Sequence, residues 1–569
     1  MTAETHELDE LREQATAWLA EDPDPAGRAE LRRLVAALPG SRAELADRFA
    51  GPLTFGTAGL RGPLRAGPNG MNLTVVTRAA AGLVGWLAGH GAGGPLVIGY
   101  DARHGSREFA ERTARVATGA GRAALLLPRP LPTPVLAYAV RALHGSAGVM
   151  VTASHNPPRD NGYKVYLGAE LGGSRGAGAQ IVPPVDAEIE AAIRAVGPLA
   201  EVPLGGPGEV LDERVVTNYV ELAAAVVAPG GPRELAVAYT PLHGVGGPVL
   251  AAAFRAAGFG APAVVAEQAE PDPEFPTVAF PNPEEPGATD LLVALAGATG
   301  ADIAIANDPD ADRCAVAIPV PDGPADAPAG DAPAPRRWRM LRGDEVGALL
   351  ADHLMRRGNR GLYATTIVSS ALLRAICTGR DLPYDETLTG FKWIVRAGGA
   401  AAAPLVYGYE EALGYCVAPD LVRDKDGITA ALLVAELAAG LRAEGRGLAD
   451  RLDELAAEFG VHQTDQLSIR VDDLREIADM MARLRAATPA GLLGEPITAV
   501  EDLLPGADVL IMRTPTARVV VRPSGTEPKL KAYLEVVAPV VDGDVPAARS
   551  RAVAALGRLR ADVAAALRR

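Results

Sequence analysis

The chain has little of what builds extracellular frameworks or metal–sulfur sites. Cysteine occurs three times in 569 residues, at Cys314, Cys377 and Cys416. Positions so far apart give neither a disulfide framework nor a thiolate pair at metal spacing, and they predict a reducing, cytoplasmic setting. The eight histidines are scattered without a His-x-x-x-His pair, which excludes the helical zinc motif. No uncharged apolar run reaches about 18 residues, so no membrane span is expected. The acidic start, Met-Thr-Ala-Glu-Thr-His-Glu-Leu-Asp-Glu, lacks the basic-then-apolar order of a signal peptide. Long Lys/Arg blocks are missing too. Net charge is −15, from 70 acidic and 55 basic residues, so nucleic acid is not an expected partner. Aromatic residues are only 4% of the chain, but hydrophobic residues reach 48%, enough for several true cores.

A pattern of apolar strand, polar turn and helix recurs three times. Residues 96–100 precede polar 101–106 and a helical stretch at 107–118. Residues 235–239 precede 240–246 and a helix through 257, and 361–365 precede 368–370 and a helix through 378. This predicts three α/β units of similar topology. Residues 458–569 differ in texture, with strand-like runs at 466–471, 517–521 and 530–537 and helical runs at 473–486 and 547–568. They predict a smaller C-terminal α+β domain. Leu8, Leu11, Ala15 and Leu19 recur at helical spacing. The expected division is therefore N-terminal helices at 1–50, α/β domains at 51–205, 206–320 and 337–457, and the C-terminal domain at 458–569. The Pro/Ala/Gly/Asp-rich stretch 319–336 cannot build a core and is expected to be a solvated loop or link.

The chemistry-bearing residues fall on turns. Ser154 follows an apolar run, Ala147 to Val151, and precedes Pro157 and Pro158, which forbid an immediate helix. A hydroxyl on a turn, with His155 beside it and Lys164 ten residues on, is suited to carrying phosphate. The alternative is a turn that satisfies its own backbone. Asp308, Asp310 and Asp312 follow the apolar strand 303–306. Three alternate carboxylates raise one another's pKa and need a cation, and oxygen-only ligands suit Mg²⁺. An EF-hand is excluded, because Arg313 stands at its glycine position and Pro319 at its glutamate position. A phosphatase with Asp308 as nucleophile and a plain acidic turn are the rivals. The segment Arg522-Pro523-Ser524-Gly525-Thr526 joins two strands and offers hydroxyls, close backbone approach and a planar guanidinium for phosphate oxygens; its alternative is a solvated hairpin. Glu410 and Glu411 could accept hydrogen bonds from sugar diols or could open a helix. Lys392 and Lys425 each sit on a turn. Arg61 is carried by a glycine-punctuated loop, 55–62, that is not a dinucleotide motif.

Taken together, the segments 55–62, 152–158, 308–313, 410–414 and 522–528 resemble, in order and spacing, the α-D-phosphohexomutase superfamily. Thr389-Gly390-Phe391-Lys392-Trp393-Ile394 and Glu410-Glu411-Ala412-Leu413-Gly414-Tyr415 resemble its phosphoglucomutase and phosphopentomutase branch. The resemblance implies four domains around a central cleft. It implies an enzyme that interconverts sugar 1- and 6-phosphates, glucose first, through phosphoserine at Ser154 and a sugar bisphosphate. Mannose phosphates and ribose or deoxyribose 1-/5-phosphates are the alternatives, with a non-catalytic sugar-phosphate binder more distant. It implies one Mg²⁺ held by Asp308, Asp310, Asp312 and a phosphoserine oxygen. Lys164 and Arg313 are implied as cations near the phosphate, and Lys164 and His155 are candidates for the base. Glu410 is implied at the sugar hydroxyls, and Arg522, Ser524, Gly525 and Thr526 at the non-reacting phosphate, with Arg61, Lys392 and Lys425 also expected to bind substrate. One departure is Ala412, where many hexose mutases carry serine; it implies the loss of a hydroxyl contact to the sugar and tells against a strict hexose preference.

Overall fold

The computed structural model describes residues 3–55, 59–320, 337–399, 403–471, 473–524 and 529–568. The expected link at 319–336 lies almost wholly outside them. The chain forms two compact units. One comprises Met1–Leu341 with Gly414–Gly440, the other Arg342–Leu413 with Leu441–Arg569.

The first unit opens with helices Ala3–Glu21, Pro25–Ala36 and Arg42–Arg48. Asp24 caps the second by accepting from the Ala26 and Gly27 N–H groups, both at 2.9 Å, which satisfies otherwise orphaned donors. Ala15, Leu31 and Leu45 bury together with Ala66, as the helical spacing of the apolar residues requires.

A six-stranded sheet follows, in the order Leu60–Pro63, Asp160–Leu167, Ala147–Val151, Leu96–Tyr100, Ala124–Leu126, Glu209–Val210. A five-stranded sheet runs Trp338–Met340, Ala315–Pro319, Ile303–Ala306, Val237–Thr240, Ala263–Val264. In both, a trio of parallel strands (Leu96–Tyr100, Ala124–Leu126 and Ala147–Val151; Val237–Thr240, Ala263–Val264 and Ile303–Ala306) has its third member in the chain beside its first and its first beside its second, and Glu209–Val210 joins the six-stranded sheet as a further parallel strand beside Ala124–Leu126. Parallel neighbours require crossovers, here built from helices such as Ser106–Gly119, Thr133–Ala142 and Gly246–Ala256. The central strands are buried along their whole length, which is why they read as unbroken apolar runs. After the third parallel strand each sheet adds an antiparallel one, Asp160–Leu167 or Ala315–Pro319.

The second unit repeats the order with Leu405–Glu410 beside Leu362–Thr366 and Leu362–Thr366 beside Tyr384–Thr387, all parallel. The three expected α/β units are therefore present. The C-terminal segment adds an antiparallel sheet ordered Val461–Arg470, Lys529–Ala538, Ala517–Pro523, Leu510–Arg513, Ala499–Asp502. The helices Leu474–Ala486 and Val545–Arg568 accompany it. Its first strand begins five residues before the expected 466. The added part, His462 to Asp465, is polar and half-buried, so its hydrophobic pattern is faint. Among the described residues no helix is long and apolar enough to cross a membrane.

Asp344, at the start of helix Gly343–Arg356, accepts from the Ser370 N–H (2.7 Å) and the Tyr409 hydroxyl (3.0 Å). Burial, with Glu411 and Glu535 nearby, pushes its pKa up to about 7. A carboxyl that holds its proton more tightly when folded than when unfolded loses stability as pH climbs from its unfolded pKa to its folded one. The second unit should therefore weaken between about pH 4 and 7 from this group. Asp344→Asn keeps the accepting oxygen without the charge. It should raise stability by about 1–2 kcal/mol at pH 8 and by much less at pH 5, read from urea unfolding at both values.

Candidate functional site

Ser154 sits just past the strand Ala147–Val151, on a turn before Asp160–Leu167. Its backbone is left-handed, φ 52°, a conformation that costs a non-glycine residue about 1–2 kcal/mol. The surroundings hold it there. The Ser154 N–H donates to Thr152 Oγ1 at 2.8 Å. Buried Arg103 donates to the carbonyls of Ser154 (2.7 Å), Asn156 (2.5 Å), Pro157 (2.7 Å) and Asp160 (3.2 Å). One guanidinium thus fixes the whole turn, and Asp101 lies 3.5 Å from its Nε.

The Ser154 hydroxyl donates to Asp308 Oδ2 at 2.8 Å and lies 3.2 Å from His155 Nδ1. Asp308, Asp310 and Asp312 are buried and bring carboxylate oxygens within 4.8 Å of one another. Their loop is built close. Ala311 has φ 53°, Val245 N–H donates to Pro309 O (2.9 Å), and Thr133 N–H to Asp310 O (2.9 Å). A Cβ on Gly244 would fall 2.3 Å from Pro309 Cα, and one on Gly427 2.3 Å from Arg313 O. Glycine at both places lets neighbouring backbone support the loop.

Cations surround the carboxylates. Lys164, on the strand Asp160–Leu167, places Nζ 2.9 Å from Asp310 Oδ2 and 3.2 Å from Asp312 Oδ2. Lys425 Nζ lies 3.4 Å from Asp312 Oδ2. Arg313 Nε lies 3.9 Å from both Asp308 Oδ2 and Asp312 Oδ1. Arg61 donates to Asn156 Oδ1 at 2.9 Å, on the serine turn. Burial opposes charge on every group here, and the neighbours decide each outcome. Asp308 is driven well above the usual carboxylate range by burial and by Asp310 and Asp312. Asp310 is held below that range, because Lys164 and the Thr133 hydroxyl overcome its burial. Lys164 is raised, since its two aspartates outweigh the desolvation. His155, 24% exposed, is lowered by burial and by Arg313 and Arg61.

The trio fits a hard divalent cation. Its donors are all oxygens, and Asp310 Oδ1 and Asp312 Oδ1 are buried without a hydrogen-bond partner. Burying such atoms is costly unless something else satisfies them.

Arg61, Ser154, His155, Lys164, the three aspartates, Arg313 and Lys425 thus gather within the first unit. Lys425, expected at the substrate, lies against the aspartate trio. The second unit carries Lys392, Glu410, Arg522 and Ser524; Gly525 and Thr526 lie outside the described residues. Glu410 ends the strand Leu405–Glu410, so the acidic pair terminates a strand and does not open a helix. Arg522 lies on the strand Ala517–Pro523, and the Ser524 N–H donates to Lys529 O (2.8 Å). Two residues went unnoticed in the sequence. Thr133 donates its hydroxyl to Asp310 Oδ2 at 2.6 Å. Arg103 lay in a segment read only as a polar turn. The Leu-Pro-Thr-Pro run opening helix Thr133–Ala142 marks a helix start and carries no trace of a partner far along the chain.

Four family models match in order. They are those for phosphoglucomutase/phosphomannomutase α/β/α domains I, II and III, at residues 52–198, 217–320 and 342–459, and for the C-terminal domain, at 467–542. The chain belongs to the phosphoglucomutase/phosphomannomutase family. A Haemophilus influenzae protein named "Probable phosphomannomutase" is 44% identical over 474 residues, covering 82% of this chain and 93% of its own. A human phosphopentomutase is 33% identical over 596 residues, covering 94% and 92%. A crystal structure of a family protein from Burkholderia thailandensis superposes with a TM-score of 0.68 at 21% identity, covering 90% of this chain and 96% of its own; at that identity the likeness is one of fold. Family membership makes this chain an enzyme of the phosphate-transferring isomerase type.

Proposed function

We propose that this phosphosugar mutase interconverts sugar 1- and 6-phosphates, glucose phosphates first, through phosphoserine at Ser154. The observation that carries the reading is the Ser154 hydroxyl held 2.8 Å from Asp308 in a carboxylate trio backed by Lys164. Relatives named for mannose, pentose and glucose phosphates support the reaction class and leave mannose phosphates and pentose 1-/5-phosphates as alternative substrates. One Mg²⁺ per chain, held by Asp308, Asp310 and Asp312 with a phosphoserine oxygen, would offset charge on the transferring group.

Phosphoserine 154 gives its phosphoryl group to a free hydroxyl of the sugar phosphate. The Ser154 Oγ–P bond breaks, a bond from phosphorus to the sugar oxygen forms, and the hydroxyl proton passes to a base. His155, its ring nitrogen beside Ser154 Oγ, takes that role, because Lys164 is committed to Asp310 and Asp312. Lys164 and Arg313 stabilise the charge spread over the phosphoryl oxygens. The bisphosphate turns end for end, and Ser154 Oγ takes back the other phosphate. Glu410 binds sugar hydroxyls. Arg522, Ser524, Gly525 and Thr526 hold the phosphate that is not reacting, with Arg61, Lys392 and Lys425 as further cations toward substrate.

The test is direct. Glucose, mannose and ribose 1-phosphates are each incubated with the enzyme, Mg²⁺ and catalytic bisphosphate, and isomerisation and free phosphate are followed together. Isomerisation without net phosphate release is expected. Phosphate release without isomerisation would overturn the reading.

A further inference from the structure

Within the second unit, Glu411, next to Glu410 in the chain, has closely defined surroundings. Glu411 is turned back into the protein. Its Oε2 accepts from the Ser369 hydroxyl (3.0 Å) and the Thr366 hydroxyl (3.1 Å), and its N–H donates to Ser369 Oγ (3.2 Å). The backbone there is hemmed in, since a Cβ on Gly343 would fall 1.9 Å from Glu411 O. Glu411 is thereby bound to the turn 366–370, at the end of the strand Leu362–Thr366.

The same turn is gripped from the C-terminal sheet. Arg518, 6% exposed, donates to Ile367 O at 3.3 Å and to Ser369 O. Its charge is met by Glu535 (3.0 Å) and Glu386 (3.8 Å). Glu535 also accepts from the Ser370 hydroxyl at 2.6 Å. Side chains along a strand alternate between faces, so Arg518, Val520 and Arg522 share one face of Ala517–Pro523. Val520 pairs across the sheet with Tyr533, and both pack against Ile367 and Val368. The Tyr533 hydroxyl meets the Arg522 side chain and lies within the field of Glu410 and Glu411. One strand face therefore carries the turn-gripping arginine at one end and the phosphate-loop arginine four residues on, about 13 Å away.

We propose that Glu411, Ser369 and Arg518 are positioning residues that fix the span between the Glu410 carboxylate and Arg522, and that this span selects the sugar phosphate by its length. The inference rests on the mutase reading above, in which Glu410 binds hydroxyls and Arg522 the passive phosphate. A hexose 6-phosphate and a pentose 5-phosphate differ by one carbon between those two groups. A rigid span accepts one of them in register, and a loosened span discriminates less.

The test uses Glu411→Gln and Ser369→Ala in the full chain, with Arg518→Lys as a third variant should either fail to fold by thermal melting. For wild type and variants, kcat/KM is measured on glucose 6-phosphate, mannose 6-phosphate and ribose 5-phosphate. The glucose-to-ribose ratio should move toward one by at least about fivefold, the size expected of coupled neighbours, while the glucose-to-mannose ratio, at equal length, stays put. Equal losses on all three sugars, or no loss, would reduce the network to a fold element and overturn the inference. A wild-type enzyme that isomerises none of them would instead strike the mutase reading, and the inference with it.

Discussion

Ser154→Ala will lower mutase turnover by at least about ten-thousandfold and leave a folded protein whose intact mass never carries phosphate. The size of the effect follows from the site. No other hydroxyl described beside the aspartate trio can replace Ser154. Thr133 is committed to Asp310, at 2.6 Å. Folding should survive, because the turn is held chiefly through backbone carbonyls by Arg103 and through Thr152, none of which needs the serine side chain. Wild-type protein treated with sugar bisphosphate should gain one phosphate, and the variant none. Residual mutase activity in the alanine variant would remove Ser154 from the reaction.

Asp310→Asn should cost roughly a thousandfold in kcat, the scale of losing a preorganised charge at a phosphoryl-transfer site. The shape is nearly unchanged, but the charge that holds Lys164 at 2.9 Å is gone. Lys164 is then left with Asp312 alone among the trio, and an amide NH₂ can face its ammonium. Two carboxylates bind a divalent ion less well than three, so the Mg²⁺ concentration for half-maximal activity should rise at least about tenfold. The thermal shift on adding Mg²⁺ should shrink with it. A variant with unchanged activity and unchanged Mg²⁺ requirement would show that the trio does not hold the metal.

The sequence marks these two positions as candidates because their signals are local. Ser154 and the aspartate trio each follow a wholly apolar strand and lie in turns of unusual composition. Leu96–Tyr100 was equally plain, since burial on both faces leaves an unbroken apolar run. Arg103 and Thr133 were not legible, because their partners lie 51 and 177 residues away and no local pattern reports such contacts. The edge strands Glu209–Val210 and Ala263–Val264 are two residues long and partly exposed, too short for any periodicity. Glu410 and Glu411 read as equivalents; only packing shows that Glu411 is bonded to Thr366 and Ser369.

The recurring strand order has a further consequence. In each α/β unit the residues of chemical interest come directly after the same strand: Ser154 after Ala147–Val151, Asp308 after Ile303–Ala306, Glu410 at the end of Leu405–Glu410. A single topological address thus presents a hydroxyl in one unit, a carboxylate trio in the next and a carboxylate pair in the third. Grafting alternative turns at that address is the natural route to redesigning this scaffold for other phosphates.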